Sequence, residues 1–175
     1  MRDHLGLSEE DAREQSDAIY FFSHTYDDIH NDRDDYRNDM INKAIANPNA
    51  PTYTGEQFRG LSIDLQNMPT GVTPRDFINK VINEGEWREN GATSFSASIS
   101  VARDFAKSHW HDPSHIPMII HYQGNHGMPI KHLSNFPHED EVLHSGKQMK
   151  GGYDIVEHHW DGHEFHMTIK NKKRK

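Results

Sequence analysis

The chain has 175 residues, no cysteine, 33% hydrophobic side chains and a mean hydropathy of −0.95. That length suits one domain with a lean core of its own; the missing thiols exclude disulfides, thiolate metal ligands and cysteine nucleophiles, and suit a reducing compartment. The formal charge of −8 is uneven, with −7 on residues 1–50 and −1 on residues 51–175, which argues against broad electrostatic attachment to nucleic acid while leaving a small local contact open.

Met1–Leu7 contains no long apolar run, so no signal peptide is expected, and no later stretch is apolar enough to span a bilayer. A monomeric cytoplasmic protein, of the producing or the target cell, is the expectation. Ser8-Glu-Glu-Asp11 predicts a helix start, with a hydroxyl cap and carboxylates in the first turn. Apolar residues at Ala18, Ile19, Phe22, Tyr26, Ile29, Tyr36, Met40 and Ile41 recur at roughly helical spacing on an acidic background. They predict two amphipathic helices ending near the breaker Asn47–Pro51.

Residues 56–63 read as a short strand. Thr73-Pro74-Arg-Asp76 opens another helix, with proline at its first position and a stripe of Phe77, Ile78, Val81 and Ile82. Strands are predicted over 92–98, 117–122, 127–131, 142–143, 153–157 and 164–169, with a short helix over 101–106. Helices early and strands late give an α+β domain, with two packed, mainly antiparallel sheets and the helices on one side. The chain shows no internal repeat and no linker long enough to divide it, so residues 1–175 are expected to form one domain. In it the acidic segment 1–50 packs on a core of residues 51–170.

The most informative motif is Glu139-Asp140-Glu141, between an aromatic–proline turn (Phe136-Pro137) and an apolar strand. Two carboxylates one residue apart form a compact pair suited to chemistry at an anomeric carbon, where one steadies a sugar cation and the other removes a proton. By itself such a pair also fits a solvated strand edge. Two earlier segments join it: Phe58-Arg59-Gly60 on one predicted strand and Ser94-Phe95-Ser96 on another.

The order Arg59, Ser94-x-Ser96, Glu139-x-Glu141 resembles the arginine–serine–glutamate class of mono-ADP-ribosyltransferases. The flanks agree. Val101-Ala-Arg-Asp-Phe-Ala106 is similar to the family's Val-Ala-x-x-Phe-Ala helix, and Leu133–His138 to its acceptor-recognition turn. The N-terminal helices match more faintly, so the likeness covers most of the chain. It implies an ADP-ribosyltransferase-like fold with an NAD cleft, NAD as co-substrate, no metal, and transfer of ADP-ribose to an acceptor with slow NAD hydrolysis beside it. Arginine of a protein is the implied acceptor, since glutamate rather than glutamine opens the motif. The family's habits lean towards a toxin or phage effector.

The resemblance also implies roles. Glu141 would stabilise the oxocarbenium-like transition state, and Glu139 would deprotonate the acceptor. Arg59 offers a planar, permanently charged fork for the NAD phosphates. Gly60, lacking a side chain, would let the backbone approach the nicotinamide carboxamide, or else mark a sheet bulge. Ser94 and Ser96 share a strand face and would hold the catalytic glutamate and contact the nicotinamide ribose, with Phe95 on the opposite face. Ser96-Ala97-Ser98 is an alternative register, set aside because Ser94 gives the better distance to the following helix. Phe136 would contact the acceptor or simply anchor its turn. Where the family usually has threonine this chain has Phe95, which implies altered packing.

Fifteen histidines offer a rival theme. The segments 158–166 and 109–115 could supply imidazoles to a metal in a binding module without NAD chemistry. His163 and His166 differ by an odd number and neither segment has a strong metal spacing, so scattered surface histidines are expected. Protonating all of them would move the formal charge from −8 to +7.

Overall fold

In a computed structural model of the chain, residue 6 and residues 8–24, 35–63, 71–107, 115–124, 126–130 and 140–172 are described, with side chains in the first helix as far as Tyr20. Phe136, Glu139, Tyr26, Ile29, Lys131, His109, His111 and residues 173–175 lie outside the described residues. The elements are α1 (Glu9–His24), α2 (Asp35–Ala46), β1 (Gln57–Ile63), α3 (Pro74–Glu84), β2 (Glu86–Trp87), β3 (Thr93–Ser96), α4 (Ile99–Ala106), β4 (Ile116–Tyr122), β5 (Met128–Pro129), β6 (Glu141–His144), α5 (Gly146–Gly151), β7 (Tyr153–Asp161) and β8 (Glu164–Asn171). The α+β class read from the sequence is the class observed.

The chain folds as two compact units. One contains residues 1–54, 88–95 and 125–151. Its helix α1 begins as expected, with the Ser8 hydroxyl accepting from the Asp11 amide at 3.1 Å and acids filling the first turn. Ala12, Ala18 and Ile19 of α1 and Met40, Ile41 and Ala44 of α2 are buried. Most of these join Ala92, Met128, Ile130 and Leu143 in one core. Each large apolar side chain so buried stabilises the fold by about 1.5–3 kcal/mol. Asn38, buried on α2, accepts from the Ala92 amide at 3.1 Å and so ties the helix to the entry of β3. The strand order here is β3-β6-β5, with Met128 opposite Leu143 in the antiparallel β5–β6 pair.

The other unit contains residues 55–87, 96–124 and 152–175. Its strands run in the order β2-β7-β8-β4-β1, antiparallel except for the parallel β4–β8 pair. Helix α3 is closed at both ends by the residues its sequence advertises. Thr73 and Asp76 form a reciprocal capping box, and Gly85 ends the helix at φ 73° with its amide on the Val81 and Ile82 carbonyls. Helix α4 lies directly on β1: Ala102 and Ala106 join Phe58 and Ile119 in a second core. A β-carbon on Gly60 would stand 1.6 Å from the Ala102 carbonyl oxygen, so only glycine lets α4 approach so closely.

Candidate active site

Strand β3 is short because Ser98, the N-cap of α4, follows it within two residues. Its neighbour β6 starts at Glu141, immediately after Asp140, whose φ of 47° makes it the non-glycine residue with a left-handed backbone among those described. Aspartate tolerates that conformation better than most residues, at a cost of about 1–3 kcal/mol when held there. The left-handed backbone at Asp140 sets the direction in which Glu141 enters β6.

Strands β3 and β6 bring Ser94 and Glu141 together, 47 residues apart in sequence. The Ser94 hydroxyl donates to Glu141 Oε2 at 3.1 Å. Glu141 is buried, only 6% exposed. A partly desolvated carboxylate held by a hydroxyl is a fixed negative group, able to stabilise positive charge that develops beside it. On the opposite face, Phe95 packs against His144 with ring centroids 4.2 Å apart and planes tilted by 32°. Phe95 therefore points away from Ser94, as the alternation of the strand requires. Its partner His144 is not among the candidates that the sequence offers, because only the pairing of β3 with β6 makes it a neighbour.

Arg59, Gly60 and Ser96 belong to the second unit. Arg59 is buried (7% exposed) and stands opposite Ile120 in the β1–β4 ladder. Strand alternation turns it to the face away from Gly60 and α4. Gly60 is thus required by helix packing, a constraint with no local signature in the sequence. Ser96, paired with Phe58 across β1–β3, accepts from the Ser98 amide at 3.0 Å and caps the approach to α4. Glu139 and Phe136 lie outside the described residues.

The histidines depart from expectation. His115, His144 and His166 are buried rather than spread over the surface, and several are linked. His121 Nε2 meets His166 Nδ1 at 2.8 Å, His166 Nε2 meets Glu164 Oε1 at 2.6 Å, and Arg103 grips both Glu164 oxygens at 3.2 Å. His159 stacks on His166 across β7–β8. Asp161, Glu164 and His166 bring potential metal-ligand atoms within 4.8 Å of one another. The Glu164 carboxylate is, however, already neutralised by Arg103 and approached by Lys107, so this cluster reads as an ion-pair hub. A cavity of about 530 Å³ adjoins it, lined by Arg103, Lys107, His115 and His163 among others. In the first unit a cavity of about 450 Å³ is walled by Asn42, His126, His144, Ser145 and Lys147 among others.

No protein-family model and no curated protein matches the sequence. Solved structures do match. The chain is similar to an ADP-ribosyltransferase from Clostridium botulinum, with a TM-score of 0.67 and 15% identity over 98% of this chain and 90% of that one. The fold is ADP-ribosyltransferase-like. Vis toxin, an ADP-ribosyltransferase from Vibrio splendidus, matches with a TM-score of 0.61 and 17% identity over 99% and 91% of the two chains; Vis has also been solved with agmatine. Exoenzyme S of Pseudomonas aeruginosa, solved with human 14-3-3 protein beta and carba-NAD, matches with a TM-score of 0.62 and 12% identity over 96% and 84%. Among the described residues of this ADP-ribosyltransferase-like chain, no helix is long and apolar enough to cross a membrane.

Proposed function

We propose that the chain is a mono-ADP-ribosyltransferase of the arginine–serine–glutamate class. It breaks the bond between nicotinamide and ribose in NAD and passes ADP-ribose to a protein arginine. The observation that carries this reading is the Ser94–Glu141 hydrogen bond at 3.1 Å on a buried carboxylate, in a chain with this fold.

In the reaction the C1′–N bond breaks, its electron pair leaves with nicotinamide, and the ribose becomes oxocarbenium-like. Glu141 stabilises that charge and Ser94 keeps its carboxylate oriented. An arginine nitrogen then forms the new bond to C1′, and its proton passes to Glu139. Arg59 binds the NAD phosphates, the Gly60 backbone meets the nicotinamide carboxamide, Ser96 contacts the nicotinamide ribose, and Phe136 meets the acceptor. NAD is the co-substrate, no metal takes part, and water in place of the acceptor gives a slow NAD glycohydrolase activity. The agmatine bound to Vis, a guanidine, supports arginine as acceptor, and the carba-NAD on Exoenzyme S supports NAD. The toxins among the similar structures support a toxin role.

The test is incubation with labelled NAD, separate pools of host protein and nucleic acid, and mass spectrometry of the products. Label on arginine is expected. Label confined to nucleic acid would overturn the acceptor assignment, and no NAD consumption under any condition would overturn the activity.

A further inference from the structure

Resting on the reading above, we infer that His144 is a positioning residue for the proposed reaction, acting through Phe95 on the Ser94–Glu141 pair. Strands β3 and β6 are neighbours, and each contributes one residue of the proposed catalytic pair and one residue of a ring contact. Ser94 precedes Phe95 directly, and Glu141 stands three residues before His144. By strand alternation both members of each pair fall on the same face, hydroxyl and carboxylate on one and the two rings on the other. Phe95 and His144 are each only 1% exposed, and their centroids are 4.2 Å apart. Such a contact fixes the spacing of two short strands from behind while the hydrogen bond reads that spacing from the front. A serine hydroxyl has little reach, and a separation near 3.6 Å is no longer a hydrogen bond. A small relaxation of β3 against β6 would therefore break the Ser94–Glu141 bond.

Two rings at this distance and a 32° tilt make a packing contact that another aromatic can replace. The inferred role is the packing of the ring on Phe95. An unmoved pH profile in His144→Phe is what would separate positioning from acid–base participation.

The experiment compares His144→Phe, His144→Ala and Phe95→Ala with wild type, measuring kcat and KM for NAD across pH. His144→Phe should keep kcat within about threefold and leave the pH profile unmoved. His144→Ala and Phe95→Ala should each lose about 10- to 100-fold in kcat with KM for NAD within about twofold. In a Ser94→Ala background the further loss from His144→Ala should shrink below about threefold, because the bond it positions is already gone. A His144→Phe enzyme as impaired as His144→Ala, or full additivity with Ser94→Ala, would overturn the inference. A crystal structure of His144→Ala gives a readout that does not need turnover: the Ser94 Oγ to Glu141 distance should exceed about 3.5 Å, and an unchanged distance also overturns the inference. Inactive wild-type protein would count against the transferase reading, while that distance still decides the positioning role. Should His144→Ala fail to fold, the milder Phe95→Leu carries the same kinetic and structural comparison.

Discussion

His121 Nε2 and His166 Nδ1 share one hydrogen at 2.8 Å, and the far nitrogen of His166 is held by Glu164 at 2.6 Å. With the carboxylate drawing the His166 proton to Nε2, Nδ1 is left as the acceptor for His121. Protonating His121 places a positive charge in a half-buried position beside the His166 ring, which burial disfavours.

Acid should therefore weaken the fold in two stages. Burial, then the charges of His166 and other neighbours, lower the pKa of His121 below its usual 6.5 despite the opposing pull of Glu56. Burial lowers His126 in the same direction. The unfolded chain thus binds more protons than the folded one as pH drops below about 6.5, and stability falls with it. Burial raises Glu164, but the hydrogen bonds and charges of Arg103 and His166 outweigh it and hold the carboxyl below its usual 4.5. Its contribution is complete above that value and is lost as pH falls through the depressed folded pKa. Thermal melts from about pH 8 to about pH 3 should show a first decline beginning near 6.5 and a second below 4.5. In His121→Gln the first decline should shrink, and an unaltered curve would remove His121 as its cause.

Glu164→Gln should cost about 2 kcal/mol of stability at neutral pH, because it leaves the Arg103 guanidinium and the His166 ring without their anion. Arg103 is partly exposed, so water softens the loss. Urea melts measure it. A cost below about 0.5 kcal/mol would mean that the network contributes little to folding.

Glu141→Gln keeps the shape of the side chain and removes its charge. NAD turnover should fall by about 10²–10³-fold with little change in KM for NAD, as expected when a group acts only on the transition state. Ser94→Ala should fall by about 10–100-fold, since it removes one hydrogen bond to an ion and leaves the ion in place. Steady-state kinetics with both variants orders the two effects.

Gly60→Ala should destabilise the second unit by at least about 1–3 kcal/mol, because the added methyl collides with the Ala102 carbonyl oxygen, a backbone atom with nowhere to go. Denaturant unfolding checks this. A neutral result would show that α4 can retreat from β1.

Local chemistry makes much of the fold legible in the sequence. Thr73, Asp76 and Gly85 announce α3 at both ends, Ser8 opens α1, and the Asn47-Pro48 breaker closes α2 immediately after its observed end. The sequence pattern ends β7 near Glu157, yet the strand continues to Asp161. Its exposed run of His158 to Asp161 has no apolar alternation, and only pairing with β8 keeps it extended. The parallel β4–β8 pairing has no local signature at all. In the site, the residue types and their order are readable, and the Ser94–Glu141 contact joins two of them. The Phe95–His144 contact, the helix clearance at Gly60 and the chain from His121 to Arg103 are not. Each depends on which strands and helices become neighbours, which no short stretch of sequence encodes.

Asp140 places a constraint of its own on the backbone that leads into Glu141. Since the middle position turns the backbone into a conformation open mainly to glycine, asparagine and aspartate, the letter between the glutamates is not a blank. At position 140 a valine or isoleucine would be strained, while glycine or asparagine would fit, so the backbone just ahead of β6 restricts its own sequence.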